Sequence, residues 1–265
     1  MNPTTRTILI IAAILVGVGL ILAISALAFG AVIGLPFGGG NRGGAEGALH
    51  EIDTELSAFD EIDLRLSVSD VIIRHGDGFH IEGFYRGRDF SAEVRGTALI
   101  VRGEEGRWSP GISITGFQRQ DGRLTITLPS HVELENLSLQ VGVGNIDIRE
   151  LSTGEIGLSL GVGEIDLNNV DTESVSVEAG VGEVSFVGVF TGQNTIDVGT
   201  GSVTVRILGS RDNFSYDLQT GVGQASANGR ESGGLGGNLS HSAAQPTGTL
   251  EVLVGVGDIN LRFSD

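Results

Sequence analysis

The chain has 265 residues, no cysteine and a formal charge of −17. That excludes disulfide and zinc-thiolate chemistry, and it argues against nucleic acid or an anionic lipid surface as a partner of the folded part. All 16 basic residues are arginine, so Schiff-base and P-loop lysine chemistry is excluded as well.

Residues 1–7 are a short polar tail with one charged side chain, Arg6. The next 27 residues, 8–34, carry no charge, and the apolar run Ile8–Ile33 would span about 39 Å as a helix, enough to cross a bilayer with some tilt. The segment is expected to be a signal anchor with the lipid bilayer as its partner. The protein is then single-pass in the cell membrane, with its C-terminal domain extracytoplasmic. The rival reading is a cleaved signal peptide, because Ala26-Leu27-Ala28 fits an A-x-A cleavage site; the domain is then secreted. The apolar run continues past that site, which favours the anchor. Ala26, Gly30 and Gly34 recur at the four-residue spacing that lets membrane helices pack, so a homo-oligomer stays open. Residues 35–48 form a glycine-rich linker.

A single domain is expected over residues 49–265. It begins with Ile62–Ile73 (IDLRLSVSDVII), in which Ile62, Leu64 and Leu66 match Leu137, Leu139 and Val141 further on. Ser67-Val68-Ser69-Asp70 replaces a Gly-Val-Gly-Asn, and Val71 and Ile73 match Ile146 and Ile148. Phe79–Phe84, Ala92–Val101 and Arg123–Pro129 read as irregular coils. An excursion at Gly103–Gly122 carries Trp108, the only tryptophan. A loop tryptophan is a candidate partner contact, and the alternative is that it folds back over the core edge.

From Leu137 to Leu208 the chain repeats with a period of 19, and Gly-x-Gly starts at Gly142, Gly161, Gly180 and Gly199. Apolar columns repeat with it: Leu139/Leu158/Val177/Ile196, Val141/Leu160/Ala179/Val198, Ile146/Ile165/Val184/Val203 and Ile148/Leu167/Phe186/Val205, with Leu151/Val170/Val189/Leu208 as a fifth. Within a repeat Leu137, Leu139, Val141 and Val143 alternate, the mark of a strand. The phase then flips at Ile146 and Ile148, which predicts a bend at Gly144-Asn145. The corner glycines are Gly142, Gly144, Gly161, Gly163, Gly180, Gly182, Gly199 and Gly201. Gly221, Gly223, Gly255 and Gly257 continue the set after longer spacers. The spacer at residues 228–248, rich in Gly, Ser and Asn, is expected to be a loop insertion.

The fold class that follows is all-β: a parallel β-solenoid, a β-helix-like stack of ~19-residue coils, preceded by one transmembrane helix. An immunoglobulin-like sandwich does not keep constant spacing over four repeats. The end of such a stack needs covering, and Asp258, Arg262, Asp265 or the 228–248 loop are available for it.

The functional signals are sparse. The Gly-x-Gly elements lead into strands rather than a helix N-terminus, so they are not phosphate cradles, and no cofactor is expected. Calcium-binding nonapeptides need another period. Outward-facing Asp147, Glu164, Asp166 and Glu183 form an acidic patch about 5 Å from rung to rung, a candidate for a divalent cation or a basic partner. The rival reading is a solvated acidic face, and no metal site is assigned. A β-helix carbohydrate-active enzyme would place a retaining carboxylate pair there. Catalytic pairs need a groove, however, and His50, His75, His80, His131 and His241 show no triad or metal spacing. The chain is read as a non-enzyme without catalytic residues.

Strands of the form L-x-L-x-V-G-V-G-x-I-D-[IL] occur at Leu137–Ile148, Ile156–Leu167, Val175–Phe186 and Leu250–Leu261. With the N-terminal anchor and the lead-in Arg123–Gln140, this ordered set resembles the bacterial "toast-rack", or β-strand-repeat, family of candidate adhesins. The resemblance implies a surface-exposed interaction module on a bacterial envelope, with an unknown protein or glycan ligand outside the membrane. It supplies no catalytic residues. The expected function is a membrane-anchored, extracytoplasmic module for binding, adhesion or scaffolding. Envelope-stress sensing through a membrane partner is the alternative, and the carbohydrate-active enzyme is the weaker one.

Overall fold

The computed structural model describes residues 48–87, 89–104 and 122–264. The expected anchor at 8–34, the linker up to residue 47 and Trp108 lie outside the described residues. Among the described residues no helix is long and apolar enough to cross a membrane.

Among the described residues thirteen strands form one sheet that winds around an apolar interior. Its regular part is β8 (Leu134–Arg149), β9 (Ser152–Phe190) and β10 (Gly192–Leu208). They stack in parallel with a constant offset: Leu137 pairs with Ile156, Ile146 with Ile165, Ile196 with Val177 and Val203 with Val184. β9 alone runs through two coils. The first four apolar columns are buried from end to end. Alternation therefore does here what periodicity promised, putting one face of every rung into the stack.

The glycine pairs lie in file. A Cβ on Gly163 would sit 1.7 Å from the carbonyl oxygen of Gly144, one on Gly182 1.7 Å from that of Gly163, and one on Gly201 1.6 Å from that of Gly182. These second glycines also take φ between +144° and +157°, a region L side chains avoid. Each missing Cβ would point down the file at the rung below. The file starts at the rung of β8, whose Gly142 and Gly144 face Ser67 and Ser69 on the rung below.

The early segment lies where residue matching put it. β2 (Glu61–Val68) pairs with β8 through Ile62–Leu137, Leu64–Leu139 and Leu66–Val141. β3 (Asp70–Gly76) pairs through Val71–Ile146 and Ile73–Ile148. Below it, β6 (Ala98–Glu104) pairs in parallel with β2, and β7 (Gly122–Pro129) with β3, supplying the two halves of one more rung.

Four expectations need correction. First, the fifth column breaks: Leu151 and Val170 are buried, but Val189 is half-buried and Leu208 exposed, their places taken by Phe190 and Ile207. Glu150 and Asn169 adopt φ of 56° and 57°, a bulge that shifts the parity by one. The next two coils lack it and simply alternate. Second, Phe79–Phe84 and the part of Ala92–Val101 that precedes β6 are not coils. β4 (His80–Gly87) runs antiparallel to β7, and β1 (Ala48–Glu55) antiparallel to β4. β5 (Asp89–Arg95) forms a hairpin with β6. Third, residues 228–248 are mostly strand: β12 (Arg230–His241) folds back antiparallel along β11 (Phe214–Ala227) and covers that end of the stack. Fourth, the rungs are not in chain order. β13 (Gly248–Ser264) inserts between β10 and β11, parallel to both. Asp258 and Arg262 thus lie within the stack, not at its end.

Ring packing and one buried amide hold that insertion. Phe214 lies between Phe190, with centroids 5.2 Å apart, and Phe263, 5.9 Å away. Asn194 stands in an otherwise apolar inward column, 2% exposed. Its Oδ1 accepts from the Val175 N–H at 2.9 Å, and its Nδ2 donates to the Thr249 carbonyl at 3.0 Å. One side chain therefore joins the rung below to the inserted rung above, satisfying groups that burial would otherwise leave orphaned.

Candidate functional site

The outer face carries the residues singled out for chemistry. Asp147 and Asp166 are register partners, and Glu164 follows Asn145 in the next column, with Glu183 pairing onward to Ser202. The stack thus brings the four carboxylates onto one side, as two short files. The depressions around His75, Glu150 and Asp171 (about 430 Å³) and around Thr195, Asp217 and Glu251 (about 520 Å³) are lined by other residues. Among the described residues no group of three His, Cys, Asp or Glu could hold a metal ion.

Asp147 is already engaged. Its two oxygens accept from Arg149 Nε and Nη2, both at 2.8 Å, a bidentate fork. That hydrogen bond, and secondarily the charge of Asp147, holds the Arg149 proton more firmly than usual. The like-charge repulsion read from the sequence is therefore relieved by an arginine two residues on, on the same outward face.

The column after the second glycine has a structural duty that the sequence did not reveal. At this corner a side-chain oxygen accepts the backbone N–H of the rung above. Asp70 Oδ1 takes Asn145 N–H at 3.1 Å, Asn145 Oδ1 takes Glu164 N–H at 3.2 Å, and Asp258 Oδ1 takes Gln224 N–H at 2.8 Å. Asn or Asp directly after Gly-x-Gly was the available signal, since short oxygens bond locally to backbone.

Val143 departs from its expected direction. Strict alternation puts it on the face of Leu137, Leu139 and Val141, which are buried, but it is 46% exposed, and Val162 is 45% exposed. The corner begins at Gly142, so the residue between the two glycines points away from the stack. In consequence an outward file forms: Val68 pairs with Val143, Val143 with Val162, Val181 with Thr200, Thr200 with Val256, Val256 with Val222 and Val222 with Leu235. Leu235 is 65% exposed.

Acidic side chains border this file. On one side stand Asp70, Glu164, Glu183 and Asp258; on the other, Glu178 and Asp197 are register partners. Burial, and next to it the charge of Glu178, raises the Asp197 carboxyl above its ordinary value. Among the described residues, the cations of these columns are Arg102 and Arg123 on β6 and β7 and Arg65 on the β2 rung next to them, and they are turned to carboxylates, Arg65 and Arg102 to Asp63 and Arg123 to Asp70.

The family model described as Toastrack DUF4097 matches residues 59–265. Among solved structures, a candidate cell adhesion protein from Clostridium sporogenes is 16% identical, with 82% of this chain and 100% of that one covered and a TM-score of 0.48. A candidate adhesin from Bacteroides fragilis is 15% identical, covering 81% of this chain and 97% of its own at a TM-score of 0.32. A candidate lipid binding protein from Parabacteroides distasonis is 11% identical over 82% and 97%, with a TM-score of 0.27. None of the curated proteins matches the chain.

Proposed function

This chain belongs to the toast-rack family, and on that premise we propose that it is a non-catalytic binding, adhesion or scaffolding module of the cell envelope. Residues 8–34 anchor it as a single-pass protein, and the stack stands outside the membrane, presenting outward files to a protein or glycan ligand. The observation that carries this reading is the shape of the outer face. Its functional side chains lie along regular, exposed ribs, while of its best carboxylate pair Asp147 is bound to Arg149 and neither residue lines the two depressions described above. Rigid ribs suit a display surface, whereas catalysis needs enclosed groups with shifted proton affinities.

The test is retention of isolated envelope material on beads coated with the full-length chain. Saturable retention that survives Asp147→Asn with Asp166→Asn supports the module. Absence of saturable retention, or glycan turnover abolished by that double substitution, overturns it. Exchange of residues 8–34 for an unrelated helix then separates adhesion, which persists, from envelope-stress signalling, which is lost.

A further inference from the structure

We propose that the outward ridge Val68–Val143–Val162–Val181 is the docking surface for a cationic amphipathic α-helix of a partner protein. The proposal rests on the module reading above and names its ligand class.

The ridge is apolar where nothing in the fold requires it. Five of the six Gly-x-Gly corners carry valine (Val143, Val162, Val181, Val222, Val256), and the sixth carries Thr200. β-Branching suits the strand backbone at this point, but threonine supplies that equally well. The hydroxyl would also be better solvated at an exposed position. Val143, Val162 and Val181 each stand between two glycines, so along these three rungs the ridge is flanked by two side-chain-free gutters into which a partner's side chains can reach.

The direction of the ridge selects the kind of occupant. It runs along the stack axis, across the strands, and every rung between Val68 and Val181 has a neighbour above and below. Among the described residues free strand edges lie only at the ends, so an extended peptide lying on the ridge would find no ladder to join. An occupant must satisfy its own backbone, as an α-helix does. Rungs recur about every 4.8 Å and helical turns every 5.4 Å, so apolar positions at i, i+3, i+4 and i+7 stay in step over about four rungs. That is the length of the valine run before Thr200 interrupts it.

Charge selects the flanks. Glu164 and Glu183 border the run on one side and Glu178 on the other, with Asp197 one rung further beside Thr200; all four are exposed, and Arg65, beside Val68 in the same column, is turned to Asp63. A helix with arginine or lysine on both edges of its apolar stripe would meet both rows, whereas an anionic bilayer would be repelled.

The experiment uses the full-length chain in zwitterionic nanodiscs, with empty nanodiscs subtracted. The probe is a labelled peptide of about 14 residues with leucine at helical spacing and arginine flanks. A scrambled peptide of the same composition and a glutamate-flanked version serve as comparisons. Helical circular dichroism should appear on binding, affinity should fall with salt, and both comparison peptides should bind at least about tenfold more weakly. Val143→Thr, Val162→Thr and Val181→Thr together keep the backbone preference and should weaken binding by at least about tenfold. Equal affinity of this variant, equal binding of the scrambled peptide, or binding without gain of helix each overturns the proposal. Envelope retention by coated beads is read in parallel. If the valine variant keeps it, the ridge proposal falls and the module reading stands; if wild type shows none, the module reading itself falls.

Discussion

Gly163→Ala is the sharpest test of the stacking geometry. The new Cβ would lie 1.7 Å from the Gly144 carbonyl oxygen and 2.8 Å from its carbon, at a residue with φ of +147°. Backbone cannot swing aside as a side-chain tip can, so the rungs must part by more than an ångström. Holding an L residue at this φ costs about 1–3 kcal/mol. Opening the corner loosens one or two inter-rung hydrogen bonds, each worth about 1 kcal/mol net. A total of about 3–5 kcal/mol is expected. Gly161→Ala, whose Cβ would lie 2.3 Å from the Gly142 oxygen without the positive φ, should cost less. Gly157→Ala has open space and should be neutral or stabilising by a few tenths of a kcal/mol. Denaturant midpoints of the three variants, with amide hydrogen exchange at the corner, measure the ranking, since stacked repeats can unfold locally. Should Gly163→Ala match Gly157→Ala within about 0.5 kcal/mol, the account of the files is wrong.

Asn194→Ala leaves the Val175 N–H and the Thr249 carbonyl unpaired inside the stack, and should destabilise by about 2–4 kcal/mol in chemical denaturation. Asn194→Leu should not rescue it, because refilling the volume restores neither hydrogen bond. Asp197 gives a pH test. Its folded-state proton affinity is raised, chiefly by burial and then by Glu178, so the folded chain binds the proton more tightly than the unfolded one. The sign follows: stability falls as pH rises from the ordinary carboxylate range through the folded value, and Asp197→Asn should flatten the midpoint-versus-pH curve there and raise stability at neutral pH. Calcium at 1 mM should leave the thermal midpoint within about 1 °C, as Asp147 is held by Arg149; a shift of several degrees, lost in Asp166→Asn, would restore the cation site.

Much of the candidate surface was readable before any coordinates. Asp147 over Asp166 and the positions of Glu164 and Glu183 follow from the period alone. Two things were not. The Arg149 fork depends on a side chain two residues along the same face, which a column-by-column reading passes over. The outward turn of Val143 depends on where the corner begins, and strict alternation carried one residue too far gives the opposite answer.

The sequence by itself determined the rung: its length, its four buried columns, its corner glycines, and the match of Ile62–Ile73 to the array. These are local properties, repeated so often that any rung stacks acceptably on any other. For that very reason the pattern does not say which rung neighbours which. Only the tertiary structure placed β13 between β10 and β11, and turned residues 230–241 into a covering strand. Those choices rest on contacts between residues distant in the chain, the Phe190–Phe214–Phe263 rings and the Asn194 amide reaching Thr249. Such contacts have no period and no local signature, since they exist only once the ends of the stack have been brought together.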